Sequence, residues 1–139
     1  MIEIKKFSET NKEFKELARI DNLVNHDSVS HQDEDKNDWS IRDKSLLRNR
    51  LLLYNDNKLI GVTYYSQGRD QNDRTAFFET NLDPAYNHNG YREMLYNKML
   101  DEVKVFNCNQ AHTSIYDHPN YEEHKKLLNK EGFKLVQTN

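Results

Sequence analysis

The stretch from Thr75 to Phe106 decides the fold, and it reads TAFFETNLDPAYNHNGYREMLYNKMLDEVKVF. An apolar, aromatic run opens this stretch and continues to Leu82, which predicts a strand. Asp83-Pro84-Ala85-Tyr86 is typical of a turn, and a short polar loop then leads to Gly90. Apolar residues at three- and four-residue steps follow, which predicts an amphipathic helix with a buried stripe of Tyr91, Met94, Leu95, Met99, Val103 and Phe106.

A strand, a glycine-bearing loop and a helix N-terminus in this order predict a binding site for an anion. The first backbone N–H groups of a helix have no partner within it and carry partial positive charge. A phosphate group can bind there without a dedicated cation. Gly90 would let the backbone approach that group without a clash from a Cβ atom.

Composition limits the class of protein. The chain has 139 residues, so we expect residues 1–139 to form one domain around one core. The net charge of −3 argues against a general nucleic-acid binder. A single cysteine indicates a reducing compartment, and the sequence shows neither a signal-peptide layout nor a membrane-spanning apolar run. We therefore expect a cytoplasmic protein with no nucleic-acid or membrane partner.

The N-terminal part of the chain predicts a strand followed by a helix. The strand runs from Ile2 to Phe7 and the helix from about Asn11 to Asn25, with Thr10 and Glu13 placed to form a capping box. The core-facing stripe of the helix comprises Phe14, Leu17, Ala18, Asp21 and Val24, with Ile20 beside it.

Residues 26–43 form the most polar part of the sequence. The segment contains six candidate metal ligands: His26, Asp27, His31, Asp33, Glu34 and Asp35. Their spacing is not that of a metal-binding motif, so we do not interpret them as a metal cluster. We interpret the segment as a solvated loop or short helix that is anchored by Trp39 and Ile41.

Two apolar runs, Leu46 to Tyr54 and Leu59 to Tyr65, predict a hairpin whose tight turn is Asn55-Asp56-Asn57. Gly61 in the second run indicates a bulge or a close approach of a neighbour.

The C-terminal part predicts a strand over Ala111 to Tyr116, a helix over Tyr121 to Lys130 that ends before Gly132, and a last strand from Lys134 to Gln137. The whole order is strand, helix, three-strand meander, helix, strand, helix, strand. This order indicates an α+β fold with helices packed on a mixed sheet.

The central stretch resembles the acyl-CoA-binding motif of the GNAT N-acetyltransferase superfamily. That motif runs from a strand through V-x-P-x-Y and R/Q-x-x-G-x-G/A into a helix, and Pro84, Tyr86 and Gly90 match it. Asn87 stands where the family usually has Arg or Gln, and Arg92 stands where it usually has a small residue. The hairpin RLLLYNDNKLIGVTYY is also similar to a family pattern, and the order of elements is the GNAT order.

The resemblance implies a GNAT-like α+β fold, in which a mixed, mostly antiparallel central sheet is flanked by helices. The family normally closes its sheet with one further strand, and the chain stops at Asn139, too soon for that strand. The pattern is closest to the first lobe of members in which two such domains are fused. A homodimer or a second GNAT lobe is therefore the expected protein partner.

The resemblance also implies acetyl-CoA as cosubstrate and transfer of the acetyl group to an amine of a small molecule or peptide. Binding of acetyl-CoA is carried over onto Leu82, Asn87, His88, Asn89, Gly90, Tyr91 and Arg92. The side chain of Arg92 could obstruct the pyrophosphate, grip a phosphate, or be a solvated surface group. The alternative function is that of a degenerate, non-catalytic GNAT domain that acts as a structural or regulatory lobe.

Two residues are carried over as catalytic. Glu79 would accept the proton of the amine, since several family members place a carboxylate three residues before the position of Leu82. Strand alternation leaves open whether Glu79 faces the cleft or solvent. Leu128 occupies the usual place of the tyrosine that protonates the leaving thiolate, so Tyr121 is the candidate for that role, with Tyr116 as another nearby tyrosine.

Overall fold

A six-stranded sheet forms the centre of the computed structural model, which describes residues 1–24, 32–42, 44, 47–68, 75–86, 89–106, 108, 110–113 and 134–137. The strands are β1 (Ile2–Lys6), β2 (Arg48–Asn55), β3 (Lys58–Gln67), β4 (Thr75–Leu82), β5 (Gln110–Thr113) and β6 (Lys134–Gln137). The helices within these ranges are α1 (Asn11–Val24), α2 (Gln32–Ser40) and α3 (Asn89–Val105), together with one 3₁₀ turn at Pro84–Tyr86.

The strands lie side by side in the order of the sequence. β1, β2, β3 and β4 pair antiparallel, whereas β5 runs parallel to β4 and β6 runs parallel to β5. The predicted α+β fold with a mixed, mostly antiparallel sheet and flanking helices is therefore confirmed. The partner, a homodimer mate or a second lobe, stays a prediction.

Helices cover both faces of the sheet. α3 packs on one face, in a buried cluster that includes Leu51, Leu53, Ile60, Phe78, Leu82, Leu95, Tyr96, Met99, Leu100 and Val103. α1 and α2 pack on the opposite face, in a cluster of Phe7, Phe14, Leu17, Ile20, Trp39, Leu52, Leu59 and Val62. None of the helices in the described ranges is long and apolar enough to cross a bilayer.

Two short-range predictions in the N-terminal half of the chain, the capping box and the hairpin turn, are confirmed. The N–H group of Thr10 donates to the Glu13 carboxylate at 2.9 Å, and the N–H group of Glu13 donates to the Thr10 hydroxyl at 3.2 Å, which completes the capping box. The hairpin turn places Asp56 and Asn57 at φ values of 49° and 73°, as a tight turn between twisted antiparallel strands requires.

Gly61 lies at a point of close approach between the sheet and α3. A Cβ atom on Gly61 would stand 2.5 Å from Cδ2 of Leu82 and 3.5 Å from Cδ1 of Leu95. The register between β2 and β3 also shifts beside it, at Leu53 and Tyr54. The glycine is thus explained by close packing next to a bulge, as the sequence predicted.

Three predicted apolar contacts are wrong. Ile41 is 72% exposed, so only Trp39 anchors the polar segment, while Met94 and Phe106 are 39% and 46% exposed. The buried stripe of α3 instead comprises Arg92, Leu95, Tyr96, Met99, Leu100 and Val103. The helix is rotated relative to the predicted stripe because the polar ends of Arg92 and Tyr96 find partners on the sheet.

Several predictions fall outside the described residues. They are the helix over residues 121–130, the tyrosine candidates Tyr116 and Tyr121, the family position at Leu128, and the loop residues Asn87 and His88.

Candidate functional site

The turn between β4 and α3 is fixed by Asp83. Its N–H group donates to the carbonyl of Ile60 at 2.8 Å, and its carboxylate accepts the N–H group of Ala85 at 3.0 Å. Its carbonyl accepts the N–H group of Tyr86 at 2.7 Å, and Arg19 of α1 donates to its second carboxylate oxygen at 3.3 Å. These bonds set the direction in which the chain enters α3.

The N-terminus of α3 has the character of an anion site. The helix begins at Asn89, and Gly90 is its second residue. Its first turn carries no acidic side chain that would neutralise the positive end of the helix dipole. Of the residues predicted to bind acetyl-CoA, Gly90 and Tyr91 lie half-buried at this turn, whereas the side chain of Leu82 is buried in the core.

Among the residues that the structure describes, β4 pairs with β5 over three positions. Thr75–Phe77 of β4 pairs with Gln110–His112 of β5, and beyond Phe77 the described part of β4 pairs with β3 alone. The last residues of β4, whose described partner is β3, precede the turn at Pro84–Tyr86 and then α3. An extended ligand can add to such a strand through backbone hydrogen bonds.

Arg92 is buried beneath α3, so its description as a solvated surface residue is wrong. The side chain is 8% exposed, and Nη1 donates to the carbonyl of Thr80 at 3.2 Å. Burial raises the pKa of the neighbouring Tyr96, and the positive charge of Arg92 and the hydrogen bonds that the Tyr96 oxygen accepts from Arg92 and Thr80 oppose that rise. The guanidinium group therefore points onto β4.

A cavity of about 660 Å³ lies on the opposite face of the sheet, where α1 and α2 meet β2, β3 and β4. Its wall contains both signs of charge and several rings. The charged residues are Asp21, Asp35, Arg42, Arg48, Arg50 and Glu79. The aromatic residues are Trp39, Tyr64, Tyr65, Phe77 and Phe78.

Strand register arranges the floor of the cavity in two rows. Tyr64 of β3 pairs with Arg50 on one side and with Glu79 on the other. The neighbouring row, two residues away along each strand, consists of Arg48, Ser66 and Phe77. Alternation along a strand gives both rows the same face of the sheet.

Asp21 of α1 stands over one end of this floor. The Tyr64 hydroxyl lies 3.1 Å from each oxygen of its carboxylate and donates to it, and Nδ2 of Asn81 donates to Oδ1 at 3.1 Å. Burial raises the pKa of Asp21, although these two hydrogen bonds oppose the rise. Burial, and then the charge of Asp21, also raise the pKa of Glu79.

Arginines surround Trp39 at the other end. The guanidinium carbon of Arg42 lies 4.0 Å from the centre of the indole ring, that of Arg50 lies 4.7 Å away and that of Arg48 lies 5.7 Å away. Arg50 is 3% exposed and bonds to both carboxylate oxygens of Asp35, at 2.8 and 2.6 Å. This is the bidentate geometry that matches guanidinium to carboxylate.

Glu79 lines the cavity and is also exposed to solvent, so its role as proton acceptor stays a prediction. Sequence reasoning missed Asp21, Tyr64 and Asn81 as polar residues of the site. Asp21 gave a signal, since it is the one acidic position on an otherwise apolar helix stripe. In a folded protein such a group needs hydrogen-bond partners, and here two strands supply them, β3 through Tyr64 and β4 through Asn81.

No protein-family model and no curated protein matches this sequence. Solved structures do match. An N-acetyltransferase from Staphylococcus aureus Mu50 superposes with a TM-score of 0.73 and 12% identity, covering 91% of this chain and 81% of that chain. The structure of yncA from Salmonella typhimurium, solved with its cofactor acetyl-CoA, superposes with a TM-score of 0.73 and 14% identity. The match covers 94% of this chain and 78% of that chain.

A variant of the spermidine N-acetyltransferase SpeG from Vibrio cholerae also matches, with a TM-score of 0.68 and 17% identity, over 90% of this chain and 76% of that chain. These identities are low, so the likeness concerns the course of the backbone. The order of elements, the parallel pairing of β4 with β5 and the turn into α3 agree with it. The chain has the fold of the GNAT N-acetyltransferase superfamily.

Proposed function

We propose that this protein is an acetyl-CoA-dependent N-acetyltransferase that transfers an acetyl group to an amine of a small molecule or peptide. One observation carries the proposal: a single segment joins the cavity to the anion site. Glu79 of β4 lines the cavity, the last residues of the same strand follow, and α3 then begins at Asn89.

The residues at this junction fit a ligand with a phosphate end and an extended arm. The N-terminus of α3 offers backbone N–H groups and no acidic side chain, which suits a pyrophosphate. Beyond Phe77, β4 has no pairing with a described residue of β5, and its backbone groups there would bind an amide-bearing chain. Asn87, His88, Asn89, Tyr91 and Arg92 remain proposed contacts of the cosubstrate, together with Leu82 through its backbone.

Bound acetyl-CoA would supply the thioester carbon that the amine nitrogen attacks, so that a C–N bond forms while the C–S bond breaks. The ammonium nitrogen loses two protons on the way to the amide. The chain must hold the amine and accept the first proton before the attack, and the second, lost as the C–N bond forms, balances the proton that the thiolate receives. Glu79 is the proposed acceptor because it faces the cavity beside Asp21. Tyr121 stays the proposed proton donor to the thiolate.

The similar structures support the same chemistry. One neighbour was solved with acetyl-CoA, and another acetylates spermidine, which is a small amine. A small-molecule amine would fit within a cavity of about 660 Å³.

Calorimetry with acetyl-CoA and with CoA, on the 139-residue chain, tests the cosubstrate site. We expect dissociation constants of tens of micromolar or tighter, on the order of −6 kcal/mol or better. Gly90→Glu should weaken binding about 100-fold or more, because charge and bulk would meet the pyrophosphate.

The substitution is suited to the test because it should not harm the helix. An acidic residue in the first turn interacts favourably with the dipole, and glycine is a poor helix former. Gly90→Ala provides the matched control, with a Cβ atom but no charge. If Gly90→Glu kept wild-type affinity, the assignment of the cosubstrate to this turn would be lost.

The degenerate, non-catalytic lobe remains the second candidate, and Arg92 favours it. The guanidinium group already bonds to the Thr80 carbonyl, on the part of β4 that the arm of the cosubstrate would follow. Absence of CoA binding at millimolar concentration would support this candidate. Binding that appears only in Arg92→Ala would identify Arg92 as the obstruction, whereas weaker binding in that variant would show that Arg92 holds a phosphate.

A further inference from the structure

The two ends of the cavity carry opposite net charge. At the Trp39 end, three guanidinium groups belong to Arg42, Arg48 and Arg50. Two carboxylates face them: Asp35 binds Arg50 in bidentate fashion, and an oxygen of Glu9 lies 3.8 Å from Arg42. Among the described residues, one positive charge therefore remains at this end.

Arg48 carries that remaining charge. Arg42 is also held by the carbonyl of Trp39 at 2.7 Å, and Arg50 is enclosed by rings. Arg48 is exposed, lines the cavity, and forms no ion pair with a described residue. Its guanidinium group is thus available to a soluble anion, and the planar donor fork suits a carboxylate.

The opposite end carries two carboxylates, Asp21 and Glu79, and the described hydrogen-bond partners of Asp21, which are Tyr64 and Asn81, are neutral. An ammonium group placed there would gain charge-assisted hydrogen bonds. It would also lie beside the residue proposed to accept its proton.

The distance between the ends follows from the strand register. Arg48 and Glu79 are separated by two strand spacings and by two residues along the strand, which places their Cα atoms about 12 Å apart. Both side chains line the cavity, whose floor also includes Tyr64, Ser66 and Phe77 on the same face of the sheet. A compact molecule with an apolar middle and opposite charges at its ends would bind Arg48 and Glu79 at the same time.

We propose that the acceptor is an amino acid or a similar small amine that carries a carboxylate, with its ammonium group at Asp21 and Glu79 and its carboxylate at Arg48. The inference rests on the proposed function and deepens it, since it names the class of acceptor. It disfavours polyamines, because a second ammonium group would lie against the arginines around Trp39.

A matched series of acceptors tests the proposal with the intact chain. Leucine, leucinamide and 3-methylbutylamine share one apolar side chain and differ in the carboxylate, and spermidine represents a polyamine. We expect kcat/KM for leucine to exceed that for each of the others by about tenfold or more, as for a site that loses one charged hydrogen-bond partner. A preference for 3-methylbutylamine or spermidine would overturn the proposal.

Arg48→Gln removes the proposed carboxylate partner. We expect kcat/KM for leucine to fall about tenfold or more, while that for 3-methylbutylamine changes less than about twofold. Arg48→Lys should restore part of the loss. Lys15→Gln, at an exposed position of α1, removes the same charge outside the cavity. It should leave kcat/KM unchanged for both acceptors. Equal losses for both acceptors in Arg48→Gln would refute a carboxylate site.

Tryptophan fluorescence separates this proposal from the proposed function. The sequence has one tryptophan, Trp39, and it stands at the arginine end of the cavity. Leucine should alter its emission in the wild type but not in Arg48→Gln, and 3-methylbutylamine should have no effect, whether or not any acceptor is acetylated. Absence of CoA binding together with this leucine response would leave the acceptor site standing and remove the transferase. CoA binding without the leucine response would support the cosubstrate site and overturn the proposed acceptor site.

Discussion

At the scale of single residues, the two carboxylates of the cavity have different surroundings. Asp21 is held by the Tyr64 hydroxyl and by the amide of Asn81, whereas Glu79 makes no hydrogen bond with another described side chain. A fixed carboxylate is suited to orient an ammonium group. A carboxylate that binds its proton more readily is suited to accept one.

The pH dependence of the reaction should reveal this division. Glu79 accepts a proton only when ionised, so kcat/KM should rise with pH through its pKa, which lies above the ordinary value of 4.5. Asp21→Asn removes a nearby negative charge, so this rise should move to lower pH. Glu79→Gln should lower kcat/KM by about 100-fold or more and abolish the rise.

These profiles are measured by thiol release from acetyl-CoA between acidic and neutral pH. Glu93→Gln, at an exposed site on α3, is the control for a loss of charge outside the cavity and should keep the wild-type profile. A rise that persists in Glu79→Gln, or that moves to higher pH in Asp21→Asn, would contradict the assignment.

At the scale of elements, the packing of β3, β4 and α3 fixes where the anion site stands. Gly61 brings β3 within contact of Leu82, and Leu82 lies at the end of β4 next to Leu95 of α3. Asp83 then ties the following turn to Ile60 and to Arg19. The start of α3 is therefore positioned by contacts with both faces of the sheet.

Gly61→Ala should destabilise the fold by about 1–3 kcal/mol, because its Cβ atom would lie 2.5 Å from Cδ2 of Leu82 and force that buried side chain to move. Urea denaturation measures the effect. In a Leu82→Ala background the same change should cost little, since the obstructing atom is gone. An equal cost in both backgrounds would show that the penalty arises elsewhere.

At the scale of the whole molecule, α2 closes the cavity although it is almost entirely polar. Trp39 is its buried residue, and its firmest polar attachment to the sheet is the pair between Asp35 and Arg50. Arg50 is buried against Phe7, Trp39 and Tyr64, so the guanidinium group depends on Asp35 for its counter-charge.

Asp35→Asn should lower the free energy of unfolding by about 3 kcal/mol, because it leaves a buried guanidinium group without its charged partner. The urea midpoint of the full chain is the measurement. Asp38→Asn, at an exposed position on the same helix, should stay within about 0.5 kcal/mol of the wild type. A similar midpoint for both variants would show that the ion pair contributes little to the attachment of α2.

Local chemistry made much of the fold predictable from the sequence. The capping box at Thr10 and Glu13, the turn at Asp56 and Asn57, and the period of each apolar run depend on neighbouring residues. For the same reason the strand, turn and helix around Gly90 could be recognised. Glu79 could be placed on β4, although the face it takes could not.

Tertiary structure alone decided the rest, because the groups involved meet from distant parts of the chain. Asp21 joins Tyr64 and Asn81 only after α1 packs on the sheet, and Arg48 and Glu79 face one cavity only through the register of three strands. The rotation of α3 was likewise set by the hydrogen bond from Arg92 to Thr80. Periodicity shows which side of an element is apolar, but the partner of a buried polar group depends on packing between elements.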